Sequence, residues 1–322
     1  MSAATLRRVD APIPVTVVTG FLGAGKTTLV RRWLEDLPCE ETVVLVNEAG
    51  EVGTDGALLG DGAARVLEIT GGCLCCTSLA ALDAALTQIA ESAATRRVLV
   101  ETSGAASPAG VLRALTRGTA RDGLRLDGVI TVIDARRARR TLGFVLAAEQ
   151  LAFADVVVMS HVDGGDEDDL VALEHDLRGH APAAPVVRAH RDADGAVHVP
   201  TLDALLTMRR DVLHAPPSML QRRPGHGIEA VSLVHPGDLD EPRFGDWVEE
   251  ALGAIEARVL RVKGILAVAG VEERVIVQGV GDAIEVTLGP AWGDEPRTSR
   301  LVVLGLGLDG AALRSGFAAC AA

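Results

Sequence analysis

The segment GFLGAGKT, Gly20 to Thr27, restricts the fold of this chain more than any other stretch. It fits G-x-x-x-x-G-K-[ST] at every fixed position. The apolar run VTVVTG (15–20) leads into it, and a helical stretch, Thr27–Glu35, follows. Strand, glycine turn and helix form the context that this motif requires. Glycines let backbone N–H groups turn inward around a phosphate, and the helix N-terminus adds its dipole. The spacing assigns Gly23, Ala24, Gly25, Lys26, Thr27 and Thr28 to nucleotide binding. Lys26 reaches the β- and γ-phosphate oxygens and Thr27 ligates Mg²⁺. The alternative is an ordinary strand–turn–helix with glycines in the turn.

The next runs repeat the pattern. TVVLVN (42–47), RVLEIT (65–70), RRVLVE (96–101), GVITVID (128–134) and DVVVMS (155–160) read as strands, with helical stretches such as Leu79–Glu91 and Pro108–Leu115 between them. Apolar strands alternating with helices predict an α/β P-loop fold on a largely parallel sheet, with ligands beyond the carboxyl ends of the strands. From about Arg188 to Gly225, prolines, arginines and histidines crowd the chain, which reads as a linker or as the frayed edge of the first domain. Near Ile228 a second unit begins. Its strands are joined by short turns with few helices, which predicts a small α+β domain with an antiparallel sheet. The expected division is a P-loop domain over 1–190, a linker over 191–225 and a C-terminal domain over 226–322, and 322 residues suffice for two cores.

Charge and hydropathy narrow the partners. Acids outnumber bases 44 to 31, a net charge of −13, so nucleic acid is not an expected partner. No apolar run approaches the roughly 18 residues of a membrane span, and the N-terminus lacks a signal peptide's apolar region. The expected compartment is the cytoplasm, where thiols stay reduced and clustered cysteines favour metal or redox roles.

Three further segments carry chemistry. Glu101, in LVETSGAASP, ends a strand and can hold Mg²⁺ through water, and the backbone N–H of Gly104 can meet a γ-phosphate. Lys26, Thr27 and Glu101 are therefore the catalytic candidates, the last two as the magnesium pair. In VVVMSHVD (156–163), Asp163 can accept two hydrogen bonds from guanine and Ser160 takes the first motif position. His161 stands where GTPases usually carry lysine, and its flat ring could also lie along a base. The loop NEAGEVGTDGALLGDG (47–62), with Glu48, Glu51 and five glycines, has the position of a switch responding to the γ-phosphate.

Together these motifs make the chain resemble the CobW-type P-loop GTPases, nucleotide-dependent metal chaperones or insertases. TGFLGAGKTTL, VNEAGEVGTDG, GGCLCC, ETSGAASP and ADVVVMSHVD carry the resemblance in the first domain, and RVKGILAVAG and RLVVLGLGLD in the second. It spans Pro14 to Cys320. The departures are His161, Ala49 where Phe is common, and the missing histidine-rich tract. The resemblance implies Mg²⁺ with GTP, Zn²⁺ or Co²⁺ as cargo, and a metal-requiring client protein.

Three of the five cysteines, Cys73, Cys75 and Cys76, fall in GGCLCC. Thiolates are soft ligands suited to Zn²⁺, Co²⁺ or Cu⁺. Three of them leave a tetrahedron incomplete, and Glu48, Glu51, a histidine or water would supply the rest. A closed structural zinc site would show a second ligand cluster, and Cys39 and Cys320 are isolated. Buried packing, a vicinal redox pair and a structural metal are the other readings. At the level of function, the alternatives to a metallochaperone GTPase are a P-loop ATPase or small-molecule kinase with a structural metal, and a non-catalytic metal-responsive module. Arg261 and Lys263 read as either a functional pair or strand-end charges.

Overall fold

The structure, a computed structural model, describes residues 12–47, 65–69, 77–181, 184–213, 228–252, 259–280 and 283–322. Seven parallel strands form the first sheet: β1 (Ile13–Thr19), β2 (Thr42–Asn47), β3 (Arg65–Ile69), β4 (Arg97–Thr102), β5 (Leu124–Asp134), β6 (Val156–Ser160) and β7 (Val186–Arg188), in the order β3-β2-β4-β1-β5-β6-β7. Side chains alternate between the two faces of a strand, and β1 uses both. Val15 and Val17 join Leu82, Leu86 and Ile89 of α2 (Thr77–Ala90) and Val111 and Leu112 of α3 (Ala109–Arg117). Val18 packs on the other side with Leu29, Val30 and Trp33 of α1 (Lys26–Leu34). Burial on both faces explains why these strands read as near-continuous apolar runs. Among the described residues, the α-helices α4 (Ala138–Thr141), α5 (Val145–Ala152) and α6 (Glu167–His180) also belong to this half before β7.

The stretch expected to be a linker holds more structure than its composition suggested. A hairpin, β8 (His190–Arg191) with β9 (Val197–His198), is followed by α7 (Leu202–Leu213). Leu202, Leu205 and Leu206 are buried in the core beside Trp33, whose Nε1 donates to the Pro200 carbonyl at 3.2 Å. The i, i+3, i+4 spacing of those leucines is a helical stripe, hidden among prolines and histidines.

The second sheet is antiparallel throughout, with strands β10 (Ile228–Pro236), β11 (Val259–Leu266), β12 (Glu273–Val280), β13 (Ala283–Ala291) and β14 (Thr298–Leu306) in the order β10-β14-β11-β12-β13. Among the described residues, the α-helices α8 (Glu241–Trp247) and α9 (Gly310–Ala319) pack on its core. Asp240 and Asp309 cap their N-termini, and Trp247 and Phe317 meet edge to face at 5.6 Å. Cys320 is buried in this core, where desolvation pushes its thiol pKa up, as suits a packing cysteine.

Arg261 and Lys263 are buried, not strand-end charges. Both point from β11 at Asp155, the fully buried residue just before β6. Arg261 Nη2 donates to Asp155 Oδ2 at 2.8 Å, and Lys263 Nζ donates to Oδ1. Arg261 also donates through Nη1 to the Phe153 carbonyl. One carboxylate of the first domain thus ties down two cations of the second.

Candidate nucleotide site

The phosphate loop spans the gap between β1 and α1. Gly20, Gly23 and Gly25 hold positive φ angles of 140°, 73° and 93°, a region closed to most side chains. At Gly20 the constraint is doubled, because a Cβ would stand 2.1 Å from the Val132 carbonyl oxygen. The loop therefore lies backbone to backbone on β5. Lys26, at the start of α1, folds back over its loop and donates through Nζ to the carbonyls of Gly20 at 3.0 Å and Phe21 at 3.4 Å.

Register brings the next residue to the loop. Val18 pairs with Glu101 across β1 and β4, which sets Glu101 one residue before the end of its strand, beside the start of α1. It is 2% exposed and accepts a 2.7 Å hydrogen bond from Thr27 Oγ1. Thr102 donates to Thr19 Oγ1 at 2.8 Å and clamps the same strand ends. Beyond them Gly104 touches the loop directly, since a Cβ there would lie 2.6 Å from the Leu22 nitrogen.

On the other side of the loop, β6 delivers Ser160, His161 and Asp163. Ser160 Oγ lies 2.6 Å from the Ala24 carbonyl and 3.1 Å from that of Ile133. Its hydroxyl therefore fastens β6 to the phosphate loop. His161 has φ 56°, a left-handed turn that swings the chain away at the strand end. With Gly25, Thr28, Ser160, Arg191 and Val197 it lines a pocket next to the loop. Asp163 is half exposed and accepts the backbone N–H of Arg191 at 2.9 Å, so the β8 hairpin orients it.

Desolvation lowers the His161 pKa. The Asp134 carboxylate, 4.0 Å from Nε2, opposes that shift, and Arg136 and Arg191 reinforce it. The net shift favours the neutral ring. In an NMR titration His161 is expected to titrate below the ordinary 6.5. The unfolded chain takes up this proton first, so stability should fall as pH drops through 6.5 towards the folded value. A midpoint at or above 6.5 would contradict the burial argument.

Asp134, Arg136 and Arg137 were not among the expected site residues. Asp134 ends β5 at the ligand edge and accepts two bonds from the Arg136 guanidinium, both at 3.2 Å. Its place at the carboxyl end of a strand was the available signal. Glu48, Glu51, Cys73, Cys75 and Cys76 lie outside the described residues.

A parallel sheet with a glycine loop between β1 and α1, a lysine and a threonine opening that helix, and a carboxylate ending the adjacent strand define a P-loop nucleoside-triphosphatase. Residues 14–188 match the family described as "CobW/HypB/UreG, nucleotide-binding domain", and residues 228–321 match "Cobalamin synthesis protein cobW C-terminal domain". The chain belongs to this CobW family of P-loop GTPases. It is 33% identical to the zinc chaperone CobW of Pseudomonas aeruginosa, over 94% of this chain and 90% of that protein. To the zinc chaperone YjiA of Escherichia coli it is 30% identical, over 95% and 98% of the two chains. The crystal structure of Zn(II)-bound YjiA GTPase from E. coli shares the fold, with a TM-score of 0.65 and 24% identity over 97% of this chain and all of that one.

Proposed function

We propose that this GTPase is a metallochaperone that takes Zn²⁺ at Cys73, Cys75 and Cys76, with Glu48 or Glu51 completing the ligand set, and passes it to a metal-requiring client in the cytoplasm. The observation that carries this reading is register at the ligand edge. Asn47 pairs with both Ile69 and Thr102. The chain therefore leaves three neighbouring strand ends, towards Glu48, towards Cys73 and towards Gly104. At one sheet spacing per strand, β3 and β4 are about 10 Å apart. The end of β4, which carries Glu101, and the end of β3, which precedes the cysteine segment in sequence, are held within that distance. The names of the relatives favour zinc over cobalt as cargo.

The nucleotide chemistry follows from the site. The loop's backbone N–H groups and Lys26 hold the β- and γ-phosphates, and Gly104 offers an N–H from the next loop. The Thr27 hydroxyl and Glu101 carboxylate are hard oxygen donors in contact at the right place for Mg²⁺, which when bound neutralises charge on the β- and γ-oxygens. Asp163 accepts from the guanine edge while the His161 ring lies along the base.

Linkage makes the coupling testable. If Mg-GTP orders the metal ligands, each ligand raises the other's affinity by the same factor, typically between about 5- and 150-fold. Competitive Zn²⁺ and Co²⁺ titrations should therefore give tighter zinc binding with Mg-GTP than with Mg-GDP or no nucleotide. The Cys75→Ser variant should bind zinc weakly in all three states. Equal affinity across the states, or an unaffected variant, would overturn the proposal. ATP binding as tight as GTP would favour the kinase or ATPase alternative.

A further inference from the structure

The segment after β5 reads DARRARR, with arginines at 136, 137, 139 and 140. Two of them have close carboxylate partners. Arg136 sits on Asp134, and Arg139 pairs with Asp169 at 2.9 Å. Arg137 is held differently. Its backbone is fixed: its N–H donates to the Asp134 carbonyl at 3.1 Å, and its own carbonyl accepts from Arg140 at 3.1 Å and Thr141 at 2.9 Å. Its side chain is 69% exposed, and Nε stands 3.8 Å from Asp134 Oδ2, beyond hydrogen-bond range. The other end of the guanidinium hangs over the phosphate loop, with Nη1 3.7 Å from the place a Cβ on Gly23 would occupy.

The geometry points to Arg137 as a phosphate-binding residue that reaches the nucleotide's polyphosphate in cis, across Gly23. The inference rests on the GTPase reading of the same site. Asp134 already accepts two bonds from Arg136, so its charge is met without Arg137. The fixed backbone holds the root of the side chain at the ligand edge, and the exposed stem is long enough to swing. A guanidinium fork matches phosphate oxygens in a bidentate way that Lys26 does not. In hydrolysis, water oxygen bonds to the γ-phosphorus as the bond to the β–γ bridging oxygen breaks, giving GDP and phosphate. Arg137 exchanges no proton in that step. It stabilises charge on the oxygens where that charge is concentrated.

The test compares wild type, Arg137→Ala, Arg137→Lys and, as a control on the same segment, Arg140→Ala. Two quantities are measured: GTP turnover, and affinity for GDP and a non-hydrolysable GTP analogue. Arg137→Ala should lose at least tenfold in kcat/KM and in analogue affinity at an unchanged melting temperature. Arg137→Lys should recover only part, and Arg140→Ala should match wild type. Affinity and turnover of Arg137→Ala within twofold of wild type would overturn the inference. So would an equal loss in Arg140→Ala, which would mean a general effect of charge. A wild type that binds the analogue but turns over no GTP would count against the GTPase reading alone, and the analogue affinities would then decide the role of Arg137.

Discussion

Asp155→Ala is expected to lower the unfolding free energy by about 3–5 kcal/mol, the usual penalty for removing one partner of a buried ion pair. The carboxylate is fully buried and serves donors from both domains. It accepts the Val129 N–H at 2.8 Å, Arg261 Nη2 at 2.8 Å and Lys263 Nζ. Alanine would strip that carboxylate from two buried cations and from one backbone N–H of β5, and neither cation could regain water without opening the contact between the domains. The loss should appear in urea as a lower midpoint at unchanged slope. The triple replacement Asp155→Leu, Arg261→Met, Lys263→Met should lose less than Asp155→Ala, because it removes the charges along with their partner. If the single and triple variants were equally unstable, packing rather than charge would hold this junction. The clamp also bears on the nucleotide site. It sits at the start of β6, a five-residue strand whose other end is Ser160 on the phosphate loop. The helix before it, α5, holds the loop after Glu101 through Glu149 on Ser107 at 2.7 Å and Gln150 on Ala106 at 3.0 Å.

What could be read in advance was whatever the chain writes locally. Gly20 to Thr27 is one contiguous stretch whose spacing states its purpose. The buried strands β1, β2 and β4 announce themselves because both of their faces are apolar. The place of Glu101 beside the phosphate loop was legible because its strand runs up to the ligand edge next to β1, where it meets Thr27. Asp155 was not, because FADVVVMS reads the same whether its aspartate meets water or two cations more than a hundred residues away. Arg261 and Lys263 were ambiguous for the same reason. The helix α7 is hard to see in the sequence because prolines and histidines surround its three spaced leucines. Ser160 fitted a base-recognition motif by position, but its hydroxyl is engaged with the Ala24 carbonyl, a contact 136 residues long in sequence that no local pattern encodes.

Gly104→Ala should abolish most turnover while leaving the fold intact. A methyl at this position would stand 2.6 Å from the Leu22 nitrogen, 2.7 Å from the Leu22 Cα and 2.9 Å from the Phe21 carbonyl carbon. All three are backbone atoms of the phosphate loop, so no flexible side-chain tip can yield. Either the loop or the segment after β4 must shift by a sizeable fraction of an ångström. The loop cannot retreat the other way, because Gly20 is pressed against Val132. Displacements near 1 Å can lower rates about 100-fold, since donors aimed at the phosphates lose their alignment. The substitution keeps the residue's own N–H, so the effect measures the displaced loop and not a deleted donor. Gly245→Ala is the matched control. It lies within α8 with nothing inside 4 Å of the added methyl, and should be neutral or slightly stabilising. GTP turnover and analogue affinity near wild type in Gly104→Ala would mean that the loop after Glu101 can part from the phosphate loop without consequence. The proposed coupling between nucleotide state and zinc binding would then lose its first link.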